Sequence, residues 1–232
     1  MIVVKDLWKV YGKGEKGIEA LRGVHFQIEQ GEFIAILGPS GSGKTTLLNC
    51  LSGIDLPTKG EIFFDGVEFH RLSEEEKTKF RAQNMGFIFQ FFNLIPVLTI
   101  IENVELPLRI LGQKGREVTE RAAEMLKKVG LSGKEDKFPS QLSGGEQQRV
   151  AISRALVHNP KIVWADEPTG NLDSETGAAI IDLLEKIRLE NRTTLIVVTH
   201  DEKIAQRANR IFVFRDGKIL KEIDRKGEVM EV

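Results

Sequence analysis

Residues 38–45 of this 232-residue sequence read Gly38-Pro39-Ser40-Gly41-Ser42-Gly43-Lys44-Thr45, the spacing G-x-x-x-x-G-K-T, which can grip a chain of phosphates. Glycine has no Cβ, so backbone N–H groups turn inward and approach phosphate oxygens closely. A helix start directly behind the loop adds positive potential. Lys44 is placed to reach the β- and γ-phosphates, and the Thr45 hydroxyl to hold Mg²⁺. Without its context the octet is a flexible Gly/Ser loop. Here the apolar run Phe33–Leu37 precedes it as an expected strand, and Thr46–Leu51 follows as the first turns of an expected helix. That context makes this a nucleoside-triphosphate loop.

Such a loop needs a carboxylate for its metal. Lys161-Ile162-Val163-Trp164-Ala165-Asp166-Glu167 is an apolar run ending in two adjacent acids. Side chains alternate faces along a strand, so neighbouring acids serve different roles. Asp166 is placed to orient the metal shell, and Glu167 to polarise a water attacking the γ-phosphorus. An isolated Asp-Glu after a strand is more often a cap or turn. After a complete phosphate loop the chemical role is the better expectation. His200 closes the run Thr194–Thr199, whereas His25, His70 and His158 read as structural. All three polar features fall at the C-terminal ends of expected parallel strands, the edge where open α/β sheets bind ligands.

A further segment, Gln141-Leu142-Ser143-Gly144-Gly145-Glu146-Gln147-Gln148-Arg149, places Ser-Gly-Gly ahead of a helical pattern. It reads as a second anion-binding helix start. Ser143 with Glu146 three residues on is also a plain capping box, and both readings hold together.

The elements that must position these groups follow from periodicity. Ile2–Val10, Gly23–Glu29 and Glu61–Phe64 are short apolar runs, with a hairpin turn at Asp65-Gly66. Glu74–Gln83 is a charged surface helix, and Met85–Phe89 a strand ending at Gln90. From Thr99 to His158 the strand signal disappears, and Val118–Val129 and Gln147–Val157 carry helical spacing. Strands and helices then alternate: Ile162–Ala165, Ser174–Arg192, Thr194–Thr199, a short helix, Ile211–Phe214, and a hairpin from Phe214 to Ile219. This pattern predicts an α/β fold, a parallel sheet covered by helices with the helical middle inserted. The expected division is 1–90 with 159–232 as the nucleotide-binding core, and 91–158 as a helical subdomain. The tail from Asp224 to Val232 carries no readable signal.

Composition narrows the class. A net charge of −1 gives no global basic field, so no nucleic acid partner is expected. Cys50 is the only cysteine and reads as a small core residue. The N-terminal residues lack a signal-peptide apolar region, and the longest apolar stretch, Leu94–Ile101, is short and holds Pro96. The expectation is a cytoplasmic protein; if it acts on a membrane, another chain supplies the pore.

With these residues in place, the sequence resembles the ATP-binding cassette (ABC) ATPases from Tyr11 to at least His200. Leu142–Glu146 is similar to their signature, and Ala165-Asp166-Glu167-Pro168-Thr169-Gly170-Asn171-Leu172-Asp173 to their hydrolytic strand and the loop after it. The resemblance implies a P-loop NTPase (RecA-like) core with an N-terminal antiparallel β subdomain and an inserted α-helical subdomain. It implies ATP hydrolysis with Mg²⁺, the ion resting on Thr45, Gln90 and Asp166. Gly38 to Lys44, Thr45 and Thr46 would bind ATP, with Tyr11 stacking on adenine. Gln90 would sense Mg²⁺ and the attacking water, Glu167 would be the general base, and His200 would meet the γ-phosphate. Ser143, Gly144, Gly145 and Asp173 would contact ATP held by the opposite subunit of a head-to-tail homodimer. The segments Gly86–Pro96 and Ile101–Leu108 are similar to the subgroup serving lipoprotein release, macrolide-type export and cell division. That implies an integral membrane partner and a peripheral place on the inner face of the cell membrane. Phe91, Phe92, Leu94 and Ile95 would flank the groove for a helix of that partner. A soluble ABC ATPase of DNA repair or translation is the alternative. The interval from Gly53 to Leu142, without heptads or cysteines, speaks against it.

Overall fold

The computed structural model describes residues 1–12, 17–224 and 228–230. Its elements, in chain order, begin with β1 (Ile2–Tyr11), β2 (Ile18–Ile28), β3 (Phe33–Leu37), α1 (Lys44–Ser52), β4 (Lys59–Phe64) and β5 (Val67–Glu68). They continue with α2 (Glu74–Asn84), β6 (Met85–Phe89), α3 (Ile100–Ile110), α4 (Arg116–Lys128), α5 (Gly144–Leu156), β7 (Ile162–Asp166) and α6 (Ser174–Asn191). The last are β8 (Thr194–Thr199), α7 (Glu202–Ala205), β9 (Arg210–Arg215), β10 (Lys218–Asp224) and β11 (Val229–Met230). They form two compact units, Met1–Arg81 with Thr194–Val232, and Ala82–Thr193.

The first unit contains an antiparallel sheet in the order β2-β1-β4-β5. Val4, Leu7, Leu21, Phe26 and Phe64 are buried on it. Beside it run β11, β10, β9, β3 and β8, with β3 parallel to both β8 and β9. Phe33, Ile34, Ala35 and Ile36 are each at most 1% exposed. That explains the unbroken apolar run before the phosphate loop, since a central parallel strand has no wet face. Each such large side chain contributes about 1.5–3 kcal/mol on burial. The rings of Phe26 and Phe212, 5.2 Å apart, join the two sheets.

In the second unit β6 pairs in parallel with β7. Helices α3, α4 and α5 pack on one another through Val104, Leu108, Val118, Ala122, Leu126, Val150 and Ala151, all at most 1% exposed. Gly86 is required where β6 meets α5: a Cβ there would fall 2.1 Å from the Ala155 carbonyl oxygen. The parallel strands, antiparallel β part and helical part match the expected architecture.

Three details depart from the expectation. Strand β2 starts at Ile18 rather than near Gly23, and passes through Gly23 in a left-handed kink (φ 69°) beside a register shift. Helix α3 falls inside the expected helical subdomain, in a stretch where no individual helix was read, and opens with a Thr99–Glu102 capping box. The tail forms β11, pairing Ile223 with Val229. Among the described residues no helix is long and apolar enough to cross a membrane.

Candidate functional site

The phosphate loop leaves β3 where Leu37 is in register with Thr199 of β8, and the Gly38 N–H donates to the Thr199 carbonyl at 3.4 Å. His200, exposed and directly after Thr199, therefore shares the sheet edge from which the loop emerges. Lys44 is 7% exposed, and its Nζ donates to the carbonyls of Gly38 and Pro39, both at 2.8 Å. The ammonium is thereby folded over its own loop.

Sterics fix the glycines. A Cβ on Gly38 would lie 2.0 Å from the Phe214 carbonyl oxygen, and one on Gly43 (φ 103°) 2.4 Å from that of Ala20. On Gly41, by contrast, a Cβ would meet nothing within 4 Å, so that side of the loop is open. Gly43 caps α1 with no side-chain hydrogen bond, and the first turn holds no acid. Helices α3, α5, α6 and α7 are each capped by a side chain: Thr99, Ser143, Asp173 and Asp201. Helix α4 also starts at an uncapped glycine, Gly115, but carries Glu117 in its first turn. With neither a side-chain cap nor an acid, the start of α1 suits an anionic ligand. Ser42 Oγ is buried without a hydrogen-bond partner, a donor suited to a phosphate oxygen. Thr45 is exposed and Thr46 half-buried.

Tyr11 is 42% exposed, and its hydroxyl donates to Asp55 Oδ2 at 2.7 Å. Lys9 Nζ lies 4.8 Å from the ring centroid and binds Asp55 Oδ1 at 2.6 Å. Burial, and then the bond to Asp55, pushes the phenol above its ordinary value. Cys50 is buried, which pushes its thiol up to about 12 and leaves it an inert core residue.

In the second unit, Phe89 of β6 is in register with Asp166 of β7, so Gln90 and Glu167 follow side by side. Asp166 and Glu167 are half-buried. Glu167 has left-handed backbone (φ 47°), a strain of about 1–2 kcal/mol for a residue with a Cβ. The Gly170 N–H donates to the Glu167 carbonyl at 3.0 Å, closing a turn. That turn backs onto Gln90: Asn171 Nδ2 donates to the Gln90 carbonyl at 2.8 Å, and a Cβ on Gly170 would fall 2.8 Å from Gln90 Nε2.

Ser143 caps α5 as expected. Its N–H donates to Glu146 Oε2 at 2.9 Å while its Oγ accepts from the Glu146 N–H at 3.4 Å. Lys134 pairs with the other Glu146 oxygen. Lys134 first, and then the Ser143 donors, hold the Glu146 carboxyl down to about 2. Gly145 faces Thr176, where a Cβ would come within 2.7 Å of Cγ2, and Gly144 faces Leu172 and Phe92. Asp173 caps α6, accepting from the Glu175 and Thr176 N–H groups at 3.1 and 2.9 Å. The bond from Thr176 holds its carboxyl below the usual range.

Phe91 is 73% exposed and Ile95 39%, while Phe92 and Leu94 are half-buried. Three polar residues of this unit were not anticipated. Gln148, fully buried, donates from Nε2 to the Pro168 carbonyl at 2.5 Å, just after Glu167. Asn103, fully buried, binds the main chain of Ile95, Leu98 and Thr99. Arg154 donates to the carbonyls of Phe92 and Asn93. The available signal was a polar residue inside an apolar helical stripe: Asn103 between Ile100, Val104 and Leu108, and Gln148 beside Ala151 and Ile152.

A family model described as ABC transporter matches residues 21–170. An uncharacterised ABC transporter ATP-binding protein of Methanocaldococcus jannaschii, MJ1508, is 48% identical over 225 residues, spanning 97% of this chain and all of that protein. The lipoprotein-releasing system ATP-binding protein LolD of Legionella pneumophila (strain Paris) is 44% identical over 219 residues, spanning 94% of this chain and 96% of that one. Among solved structures, the ATP-binding cassette MJ0796, also from M. jannaschii, is similar with a TM-score of 0.89 and 46% identity. That comparison covers 98% of this chain and all of the other, which is a dimer in a post-hydrolysis state bound to ADP and Pi.

Proposed function

This chain belongs to the ABC transporter ATP-binding family, and we propose that it hydrolyses ATP as a head-to-tail homodimer coupled to a separate integral membrane subunit. The observation that carries the dimer is a second glycine-rich helix start: exposed Ser143 with Gly144 and Gly145 lies in the unit that does not hold the phosphate loop. A second phosphate-facing terminus has a use if it completes a partner's nucleotide site. The ADP- and Pi-bound relative is described as dimeric, which supports the same reading.

In this reading the loop Gly38–Thr46 holds the phosphates, with Lys44 swinging from its own carbonyls onto them. Tyr11 lies against adenine, and His200 meets the γ-phosphate. Glu167 accepts a proton from the attacking water. Ser143, Gly144, Gly145 and Asp173 serve the opposite subunit's nucleotide. Among the described residues no group of three or more His, Cys, Asp or Glu forms a metal cage. Thr45, Gln90 and Asp166 instead offer the oxygen donors that suit Mg²⁺ bound chiefly through nucleotide phosphates. An ion held there would offset the negative charge of the nucleotide phosphates. We assign 91–158 as the helical subdomain, with 1–90 and 159–232 as the nucleotide core.

The likeness to LolD supports a membrane partner of the lipoprotein-release or macrolide-export kind. Exposed Phe91 and Ile95, with Phe92 and Leu94, would receive a helix of that partner and hold this chain on the inner face of the membrane. The test is affinity purification of the tagged chain from detergent-solubilised native membranes, with co-purifying proteins identified by mass spectrometry. A stoichiometric integral membrane protein is the expected result. Recovery only from the soluble fraction, with ribosomes or nucleic acid, would overturn the assignment in favour of a soluble ABC ATPase.

A further inference from the structure

Two positions after Gln90 the backbone does something costly. Phe92 (φ 59°) and Asn93 (φ 49°) are consecutive left-handed residues. Asparagine tolerates that region; a bulky aromatic rarely does, because its Cβ crowds the following carbonyl. Such a pair persists only where surrounding groups impose it. The turn is local, with the Phe92 N–H donating to the Phe89 carbonyl at 3.2 Å and the Asn93 N–H to that of Phe91 at 2.5 Å.

What holds it is Arg154, in the last turn of α5. Its Nη1 donates to the Asn93 carbonyl at 2.5 Å and its Nη2 to the Phe92 carbonyl at 2.8 Å. The planar guanidinium presents parallel donors at fixed spacing, the shape that two adjacent, similarly directed carbonyls require. Arg154 is half-buried, and that burial pushes its pKa below the ordinary value. The same turn also touches the opposite end of α5, where a Gly144 Cβ would stand 3.8 Å from Phe92 Cζ. Gln148, between the two ends, holds the Pro168 carbonyl just past Glu167.

We propose that Arg154 is a positioning residue for Gln90: its paired bonds fix the Phe92–Asn93 turn, and so the path of the chain leaving Gln90, making the Ser143-capped helix and the Gln90 segment one mechanical piece. The inference rests on the reading of Gln90 as the residue that meets Mg²⁺ and the attacking water.

The experiment measures ATP turnover of the full chain against ATP and Mg²⁺ concentration, together with thermal unfolding. Lysine keeps the charge of Arg154 but has no fork, so Arg154→Lys loosens the turn. It should lower kcat at least about fivefold, leave KM for ATP within about twofold, and raise the Mg²⁺ needed for half-maximal rate. Glycine takes left-handed backbone without a Cβ penalty, and the penalty in this turn falls on Phe92. Adding Phe92→Gly should therefore restore most of the lost kcat of the isolated chain, which a purely packing role for Arg154 does not predict. Unchanged kcat in Arg154→Lys overturns the proposal. So does a loss that Phe92→Gly leaves in place. Should Arg154→Lys not fold, the double variant decides: near-normal turnover supports the clamp, and failure to fold there too reduces Arg154 to packing. Gln90→Ala separates the two layers. If it leaves turnover and Mg²⁺ requirement unchanged, the reading of Gln90 fails; if it alters both while Arg154→Lys alters neither, the clamp alone fails.

Discussion

Phe89 and Asp166 face each other in the parallel β6–β7 pair, so Gln90 and Glu167 leave neighbouring strands at the same edge. Parallel strands end on one side of a sheet, and that edge is where α/β proteins hold ligands. The turn from Glu167 to Gly170 then lies against the Gln90 main chain and amide. The two segments are therefore in direct contact beyond the ends of their strands.

The loop glycines make a prediction that separates crowding from backbone strain. Gly38→Ala drives a Cβ to 2.0 Å from a main-chain oxygen of β9, which cannot yield as a side chain would. It should destabilise the protein by about 2–4 kcal/mol. Gly41→Ala has open space and only its positive φ of 77° to oppose it, at a cost of about 1 kcal/mol. Denaturant unfolding of both variants checks the order; equal losses would contradict it.

Lys44→Ala removes an ammonium already poised over the loop by its bonds to the Gly38 and Pro39 carbonyls. A charge-assisted contact to phosphate is then lost, and ATP affinity should fall at least about tenfold. Equilibrium binding of a fluorescent ATP analogue measures this, with unfolding of the same variant confirming that it is folded. Unchanged affinity would remove Lys44 from the phosphate site.

Glu146 couples the Ser143 cap to pH. Its carboxyl sits at about 2 in the fold against an ordinary 4.5, so the unfolded chain takes up protons first. A depressed pKa contributes stability that is present above the unfolded value and is lost as pH falls toward the folded one. Glu146→Gln should therefore cost about 0.5–2 kcal/mol at neutral pH, as loss of a helix cap does. The gap to the parent protein should narrow once pH drops below 4.5. Denaturant unfolding of both proteins between pH 7 and the lowest pH at which they fold tests it; a gap that widens on acidification would contradict this role for Glu146.

Much of this was legible in the sequence because it is local. The phosphate loop, the apolar strand before it, the acids after Ala165 and the Ser143–Glu146 box are each set by adjacent residues. Strands β6, β7 and β8 fall where their apolar runs predicted. Helix α3 was not legible: Ile100, Ile101 and Val104 are β-branched, and Pro107 lies inside it. Its one clear signal was Thr99 with Glu102, the same box that marks α5. What lay beyond reach was the choice of partner. A polar Asn103 in an apolar stripe signals a buried amide, but not that it ties the loop from Ile95 to Thr99. Nothing near Arg154 points to carbonyls more than sixty positions away.

The role proposed for Glu167 is to drive ATP hydrolysis within a nucleotide-closed dimer. The most direct measurement compares the parent chain with Glu167→Gln for phosphate release and for oligomeric state by light scattering in Mg²⁺ and ATP. The substitution keeps the shape of the side chain and removes the base. Glu167→Gln should bind ATP, release phosphate about 10²–10⁴-fold more slowly, and accumulate as a dimer. Robust turnover by that variant, or a monomer at saturating ATP, would contradict the account.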